Sequence, residues 1–76
     1  MDTEVTQIER GGWRICVFLR WAESAECFGG YTEVYKGDHY QFRVVLSGHF
    51  VDRAAAERAL VERSDFWIDQ WRAVWP

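Results

Sequence analysis

The chain has 76 residues, of which 49% are hydrophobic, 28% are charged and 17% are aromatic, and its formal net charge is −3. This composition excludes an intrinsically disordered chain and predicts one small globular domain whose large side chains fill the core. The acidic balance also argues against a typical nucleic-acid module, because such modules carry a basic excess that neutralises phosphates.

The expected compartment is the cytoplasm, with no membrane partner. No apolar run approaches the roughly 18 residues of a membrane span, and the polar, acidic start at Met1–Glu4 is unlike a signal peptide. In that compartment Cys16 and Cys27 are expected to be free thiols rather than a disulfide.

Residues 1–11 alternate only weakly between polar and apolar side chains and lead into the pair Gly11-Gly12. We predict a flexible lead-in over residues 1–11 and a single domain over residues 12–76. This lead-in has room for a short extension of a strand around Val5 to Ile8.

The stretch from Trp13 to Trp21 alternates strictly, which predicts a strand with one face in the core. Its apolar face carries Trp13, Ile15, Val17, Leu19 and Trp21, and its other face carries Arg14, Cys16, Phe18 and Arg20.

Two further strands are predicted, one from Phe28 to Lys36 and one from about His39 to Ser47, joined by a tight turn. The first of them opens with Gly29-Gly30, which indicates a bulge or a close approach of the backbone. Alternation predicts the inward side chains to be Thr32, Val34, Tyr40, Phe42, Val44 and Leu46, and the outward ones to be Tyr31, Glu33, Tyr35, Gln41, Arg43 and Val45.

The last element is a predicted amphipathic helix from Asp52 to Trp75, with Asp52 as its N-cap. One face carries Ala56, Leu60, Trp67, Trp71 and Val74. Trp67 and Trp71 are therefore predicted to be core residues, and Trp75 to lie at a rim or in an interface. Two helices joined by a kink at Ser64-Asp65, with Ser64 as a second N-cap, are the alternative.

These elements predict an α+β domain of β-β-β-α order. A three-stranded antiparallel sheet has the single C-terminal helix packed on one face, which is the two-layer arrangement expected for one amphipathic helix and one half-apolar sheet.

The segment Gly48-His49-Phe50-Val51-Asp52-Arg53-Ala54-Ala55-Ala56-Glu57-Arg58-Ala59 has the pattern G-x-F-x-[DT]-x-x-x-A-x-x-A. It resembles the strand-to-helix passage of AP2-type and integrase arm-binding DNA-binding domains. More closely, the chain resembles uncharacterised small bacterial strand-strand-strand-helix proteins whose helix ends in an aromatic residue, Ile and Asp, here Trp67-Ile68-Asp69. The resemblance covers about residues 12–72 and implies a fold and a bacterial origin, but no activity.

The outward sheet face is the candidate binding site, because it gathers aromatic and arginine side chains that suit interfaces or base stacking. The candidate residues are Arg14, Phe18, Arg20, Tyr31, Tyr35 and Arg43. Three interpretations stay open: cross-strand packing with no ligand, a protein or self-association interface, and a nucleic-acid interface.

Other kinds of site find little support in the sequence. His39, His49, Cys16 and Cys27 match no zinc-ligand spacing, so we predict no metal and no cofactor. No nucleophile has a base at a recognisable spacing and there is no phosphate-binding loop, so we predict no enzymatic activity.

The favoured function is a non-enzymatic module that binds another protein, or itself as a dimer, through the outward sheet face. One alternative is a DNA-binding regulator that uses Arg14, Arg20 and Arg43. Another is a small acidic inhibitor or immunity-type protein that presents Glu57, Asp65 and Asp69 to a basic enzyme.

Overall fold

The computed structural model describes residues 3–74, and the side chains of residues 6–73. The elements are β1 (Thr3–Arg10), β2 (Trp13–Ala22), β3 (Cys27–Lys36), β4 (His39–Val45) and α1 (Arg53–Val74). The strands lie in the order β1-β2-β3-β4 and every neighbouring pair is antiparallel. The predicted α+β class, with one C-terminal helix, is confirmed.

The number of strands is corrected from three to four. Thr3–Arg10, predicted as part of a lead-in, forms β1 and pairs with β2, and Ile8 lies opposite Ile15 and packs against the core. A register shift between Glu4 and Thr6 interrupts the pairing. The extra residue of such a bulge breaks the period-two alternation, which is why β1 has only a weak pattern in the sequence.

The face of the sheet under the helix carries most of the predicted core. Trp13, Ile15, Val17 and Leu19 are buried along β2, as are Thr32 and Val34 on β3. Trp21 differs from this prediction, since it is 43% exposed and packs edge-on against Phe28 at the end of the strand, with 4.9 Å between the ring centroids. Alternation assigns a residue to a face but does not say how far the covering layer extends.

A second bulge changes one predicted side chain on β4. The register shifts between Val34 and Tyr35, so Tyr40 lies opposite Tyr35 and is 52% exposed instead of buried. Beyond the bulge Phe42 lies opposite Val34, and the inward positions then follow the prediction. The strand itself ends at Val45, before the predicted Ser47.

The helix begins as predicted and is continuous. The Asp52 carboxylate accepts a hydrogen bond of 3.1 Å from the Ala55 amide, which confirms the N-cap. Ser64 is fully buried within the helix and shares a hydrogen bond of 2.7 Å with the Thr32 hydroxyl. The two-helix alternative is therefore wrong, because Ser64 contacts the sheet instead of capping a second helix. Trp75 lies outside the described residues.

The prediction that Trp67 and Trp71 are core residues is also wrong, since they are 47% and 36% exposed. The side chains buried against the sheet follow a four-residue spacing: Ala56, Leu60, Ser64 and Ile68. Four residues advance about 40° beyond a full turn, so this row winds slowly around the helix as it follows the twisted sheet. At Ile68 the line of contact has moved away from both tryptophans, which lie above β4.

Candidate binding surfaces

The outer face of the sheet, meaning the side chains that alternate away from α1, contains all six predicted site residues. The register explains why they meet: Arg14 lies opposite Tyr35, and Phe18 lies opposite Tyr31. Arg43 on β4 lies opposite Glu33. Because α1 packs on the other side, no second layer of described residues covers this outer face.

The aromatic rings of the outer face pack against one another across the strands. The rings of Phe18 and Tyr31 are stacked, with 4.9 Å between centroids and 19° between planes. Tyr35 and Tyr40 meet edge to face at 5.8 Å, a contact that exists only because the β4 bulge turns Tyr40 outward. Tyr31 and Tyr35 are half-buried by these neighbours. Cross-strand packing thus accounts for part of the pattern.

Two arginines lie over the rings of the tyrosines. The Arg14 guanidinium carbon is 4.8 Å from the centroid of Tyr35, and that of Arg43 is 4.7 Å from the centroid of Tyr31. Arg43 also forms an ion pair of 3.3 Å with Glu33. The buried Arg14 Nε has no hydrogen-bond partner among the described residues. The face therefore combines rings, cations and a carboxylate within contact of one another.

Tyr35 occupies the centre of this arrangement, and its hydroxyl donates a hydrogen bond of 3.4 Å to Glu33. Desolvation by its neighbours raises the pKa of Tyr35 above its ordinary value, and the nearby negative charge of Glu33 and the hydrogen bond raise this pKa further. Arg14 opposes the shift. These effects favour the protonated hydroxyl of Tyr35, which is the form that donates to Glu33, over the phenolate.

A recess of about 200 Å³ opens at one end of the outer face, beside Phe18, Arg20, Tyr31 and Arg43. Its floor is the pair Gly29-Gly30. A Cβ on Gly30 would lie 2.3 Å from the Phe18 carbonyl oxygen, so the predicted close approach of the backbone occurs there. A Cβ on Gly29, which also lines the recess, would meet open space.

A second surface was not predicted from the sequence. The β4 groove, as we name it, lies between the edge strand and the helix and has a volume of about 460 Å³. Its lining includes Phe42, Val44, Val45, Arg63, Trp67 and Trp71. Phe42 contacts Trp71 at 6.0 Å between centroids, and Phe66 meets Trp67 edge-on at 5.3 Å. The available signal was Trp67 and Trp71 at helical spacing, which indicated a core helix equally well.

The remaining candidate residues are buried, lie at the end of a strand or are already paired. Cys16 is buried opposite Glu33, and Cys27 is a free thiol opposite Ala22 at the strand end. Asp65, one of the proposed inhibitor contacts, pairs with Arg10 at 3.3 Å.

Within residues 3–74, no group of three or more His, Cys, Asp or Glu side chains is placed to hold a metal ion. The helix within that range is not apolar enough over its length to cross a membrane.

Comparison of the chain with protein-family models, with curated proteins and with solved structures finds no match. The resemblances drawn from the Gly48–Ala59 passage therefore stay predictions.

Proposed function

We propose that the protein is a non-enzymatic binding module that associates with a second copy of itself through the outer face of the sheet. The observation that supports this proposal most is the clustering of half-buried rings with Arg14, Arg43 and Glu33 on a face that no described layer covers. Tyrosine and arginine, together with tryptophan, are enriched among the residues that contribute most to binding at protein interfaces.

The mixed charge of the outer face favours a second copy over a polyanion. Glu9 lies opposite Arg14, and Glu33 lies opposite Arg43, so both signs occur on one surface. A two-fold interface uses the same patch twice and has to be complementary to itself. A patch that carries guanidinium groups, carboxylates and aromatic rings suits this requirement, because arginines of one copy can pair with carboxylates of the other.

Sedimentation velocity from about 10 μM to about 1 mM tests the proposal, since this range covers weak homodimers. We expect the wild-type protein to shift from monomer to dimer. The variant Tyr31→Thr/Tyr35→Thr should stay folded, because threonine keeps the strand propensity, and should stay monomeric. Trp67→Ala is the matched control, as it removes a ring from the β4 groove and should leave dimerisation unchanged. A wild-type monomer throughout this range contradicts the proposal.

DNA binding is the second candidate function, because Arg14, Arg20 and Arg43 all lie on the outer face. If three phosphates are contacted, the affinity for duplex DNA should fall as the salt concentration rises. The slope of log affinity against log salt concentration should be about −3. Titration of a labelled duplex at low salt measures this directly. If the dissociation constant for duplex DNA is not below about 100 μM at low salt, DNA binding is ruled out.

A further inference from the structure

We propose that the two copies of the outer-face dimer are related by a two-fold axis that runs along the strands, between β2 and β3. β1 of one copy then lies over β4 of the other, and β2 of one copy lies over β3 of the other. This orientation rests on the dimer proposed above and specifies which strands of the second copy each strand contacts.

The charged side chains of the outer face change sign from each strand to the next. Glu9 lies on β1, Arg14 and Arg20 lie on β2, Glu33 lies on β3 and Arg43 lies on β4. Residues that are directly opposite on neighbouring strands share a face of the sheet, and Glu9 is opposite Arg14 while Glu33 is opposite Arg43. Among the described side chains, the charge of this face is therefore negative, positive, negative and positive from β1 to β4.

This alternation of sign selects the direction of the two-fold axis. When two sheets pack face to face with their strands aligned, the axis runs either across the strands or along them. An axis across the strands places each strand over the same strand of the second copy, so each charge meets its own sign. An axis along the strands, between β2 and β3, exchanges β1 with β4 and β2 with β3. Every strand then meets a strand of opposite charge, and like charges are kept apart.

The ion pair within each copy does not remove this complementarity. The Arg43 guanidinium lies 3.3 Å from the Glu33 carboxylate, so the pair is a dipole with its positive end on β4 and its negative end on β3. The axis along the strands brings this dipole to β1 and β2 of the second copy, where Glu9 and Arg14 have the reverse order of charges. The two pairs are offset by two residues, about 7 Å, which arginine and glutamate side chains can span. Glu9 is exposed, as is 51% of the Arg43 side chain, so both can contact a second copy.

The aromatic rings of the outer face lie where this axis passes. Phe18 on β2 is directly opposite Tyr31 on β3, and their rings are stacked with 4.9 Å between centroids. An axis between β2 and β3 brings this pair of rings against the same pair of the second copy. The interface then has rings at its centre and the charges of β1 and β4 at its rim, which is the usual arrangement in protein interfaces.

Substitution of Glu9 distinguishes the two axes by the sign of its effect. If β1 lies over β4, Glu9→Gln should weaken the dimer at least about threefold, because the two-fold axis repeats the lost attraction. If β1 lies over β1 of the second copy, the same substitution should strengthen the dimer, because it relieves a repulsion between two carboxylates. Sedimentation equilibrium at constant ionic strength measures the dissociation constants.

Charge reversal sharpens this test. Glu9→Lys should weaken the dimer at least about tenfold, because both contacts between β1 and β4 become repulsive. Glu9→Lys/Arg43→Glu restores opposite charges on these strands and should dimerise more tightly than Glu9→Lys alone, whereas it would restore nothing with an axis across the strands. Glu62→Gln and Glu62→Lys are the matched controls, because Glu62 is exposed on α1, on the other side of the sheet. They change the net charge equally and should dimerise like the wild-type protein.

Three results would overturn the proposed orientation. A tighter dimer of Glu9→Gln would show that the axis runs across the strands. Equal behaviour of the Glu9 and Glu62 variants would show that β1 does not face the charge of β4. In both cases the outer-face dimer itself stands, provided that Tyr31→Thr/Tyr35→Thr still abolishes it. A wild-type protein that stays monomeric up to about 1 mM contradicts the dimer, and the orientation fails with it.

Discussion

Two sides of the same helix differ in how far their side chains are buried. The row against the sheet consists of small and medium residues, namely Ala56, Leu60, Ser64 and Ile68, and all of them are buried. The flank above β4 carries Trp67 and Trp71, which are much larger and remain 47% and 36% exposed. The position of a residue relative to the line of contact therefore decides its burial, and its size and hydrophobicity do not.

The buried row also shows why a polar residue is tolerated in the core while the tryptophans stay outside it. Ser64 is fully buried, and its burial is tolerated because the Thr32 hydroxyl lies 2.7 Å away and satisfies the hydrogen-bonding capacity of the Ser64 hydroxyl. A tryptophan at this position would need space that the close approach of helix and sheet does not leave.

The largest effect in this comparison is expected from Leu60→Ala. Leu60 is 1% exposed and lies in the core cluster, so its truncation should lower the free energy of unfolding by about 2–5 kcal/mol. Urea denaturation followed by tryptophan fluorescence measures the change. A loss as small as that of a surface substitution would show that the row does not form the core.

Ser64→Ala should rank next, because it leaves the buried Thr32 hydroxyl without its partner. The expected loss is about 1–3 kcal/mol. The double variant Thr32→Val/Ser64→Ala removes both polar groups and should recover most of this loss. If the double variant is less stable than Ser64→Ala alone, the hydrogen bond is not the cause of the loss.

Trp67→Ala should cost less than either, despite the size of the ring. Full burial of a large apolar side chain contributes about 1.5–3 kcal/mol, and nearly half of Trp67 stays exposed, so a loss of about 1 kcal/mol is expected. The same urea titration provides the measurement. A loss larger than that for Leu60→Ala would reverse the comparison and restore Trp67 to the core.

The smallest effect concerns the half-buried rings of the outer face. The pKa of Tyr35 is raised chiefly by desolvation and then by Glu33. The phenol therefore holds its proton more tightly in the folded protein than in the unfolded chain. Its contribution to stability is present below the unfolded pKa of about 10 and is lost as the pH rises through the folded value. Glu33→Gln should lower the pKa of Tyr35 in an NMR titration of the ring. An unchanged titration would mean that Glu33 does not act on Tyr35.

Much of this arrangement was predictable from local patterns. Strict alternation identified the faces of β2 and β3, and the capping chemistry of Asp52 placed the start of the helix within one residue. The six outer-face residues followed from the same alternation. Each of these predictions depends on neighbours in the sequence, which is why a single sequence was sufficient.

The errors come from features that a local pattern does not contain. The bulges beside Thr6 and Gln41 insert residues that shift the alternation, so β1 was missed as a strand of the sheet and Tyr40 was placed on the wrong face. The β4 groove depends on the path of the helix over a twisted sheet. A helical wheel places Trp67 within about 20° of Ala56, and only the three-dimensional line of contact separates them.

The most direct test of the outer-face proposal is an NMR dilution series that follows the rings of Phe18, Tyr31 and Tyr35 together with the indole N–H signals of Trp67 and Trp71. If the protein associates through the outer face, the signals of the first three rings should shift with concentration while both indole signals stay constant. Concentration-dependent shifts confined to the two indoles, with the outer-face rings unchanged, would contradict the proposal and assign self-association to the β4 groove.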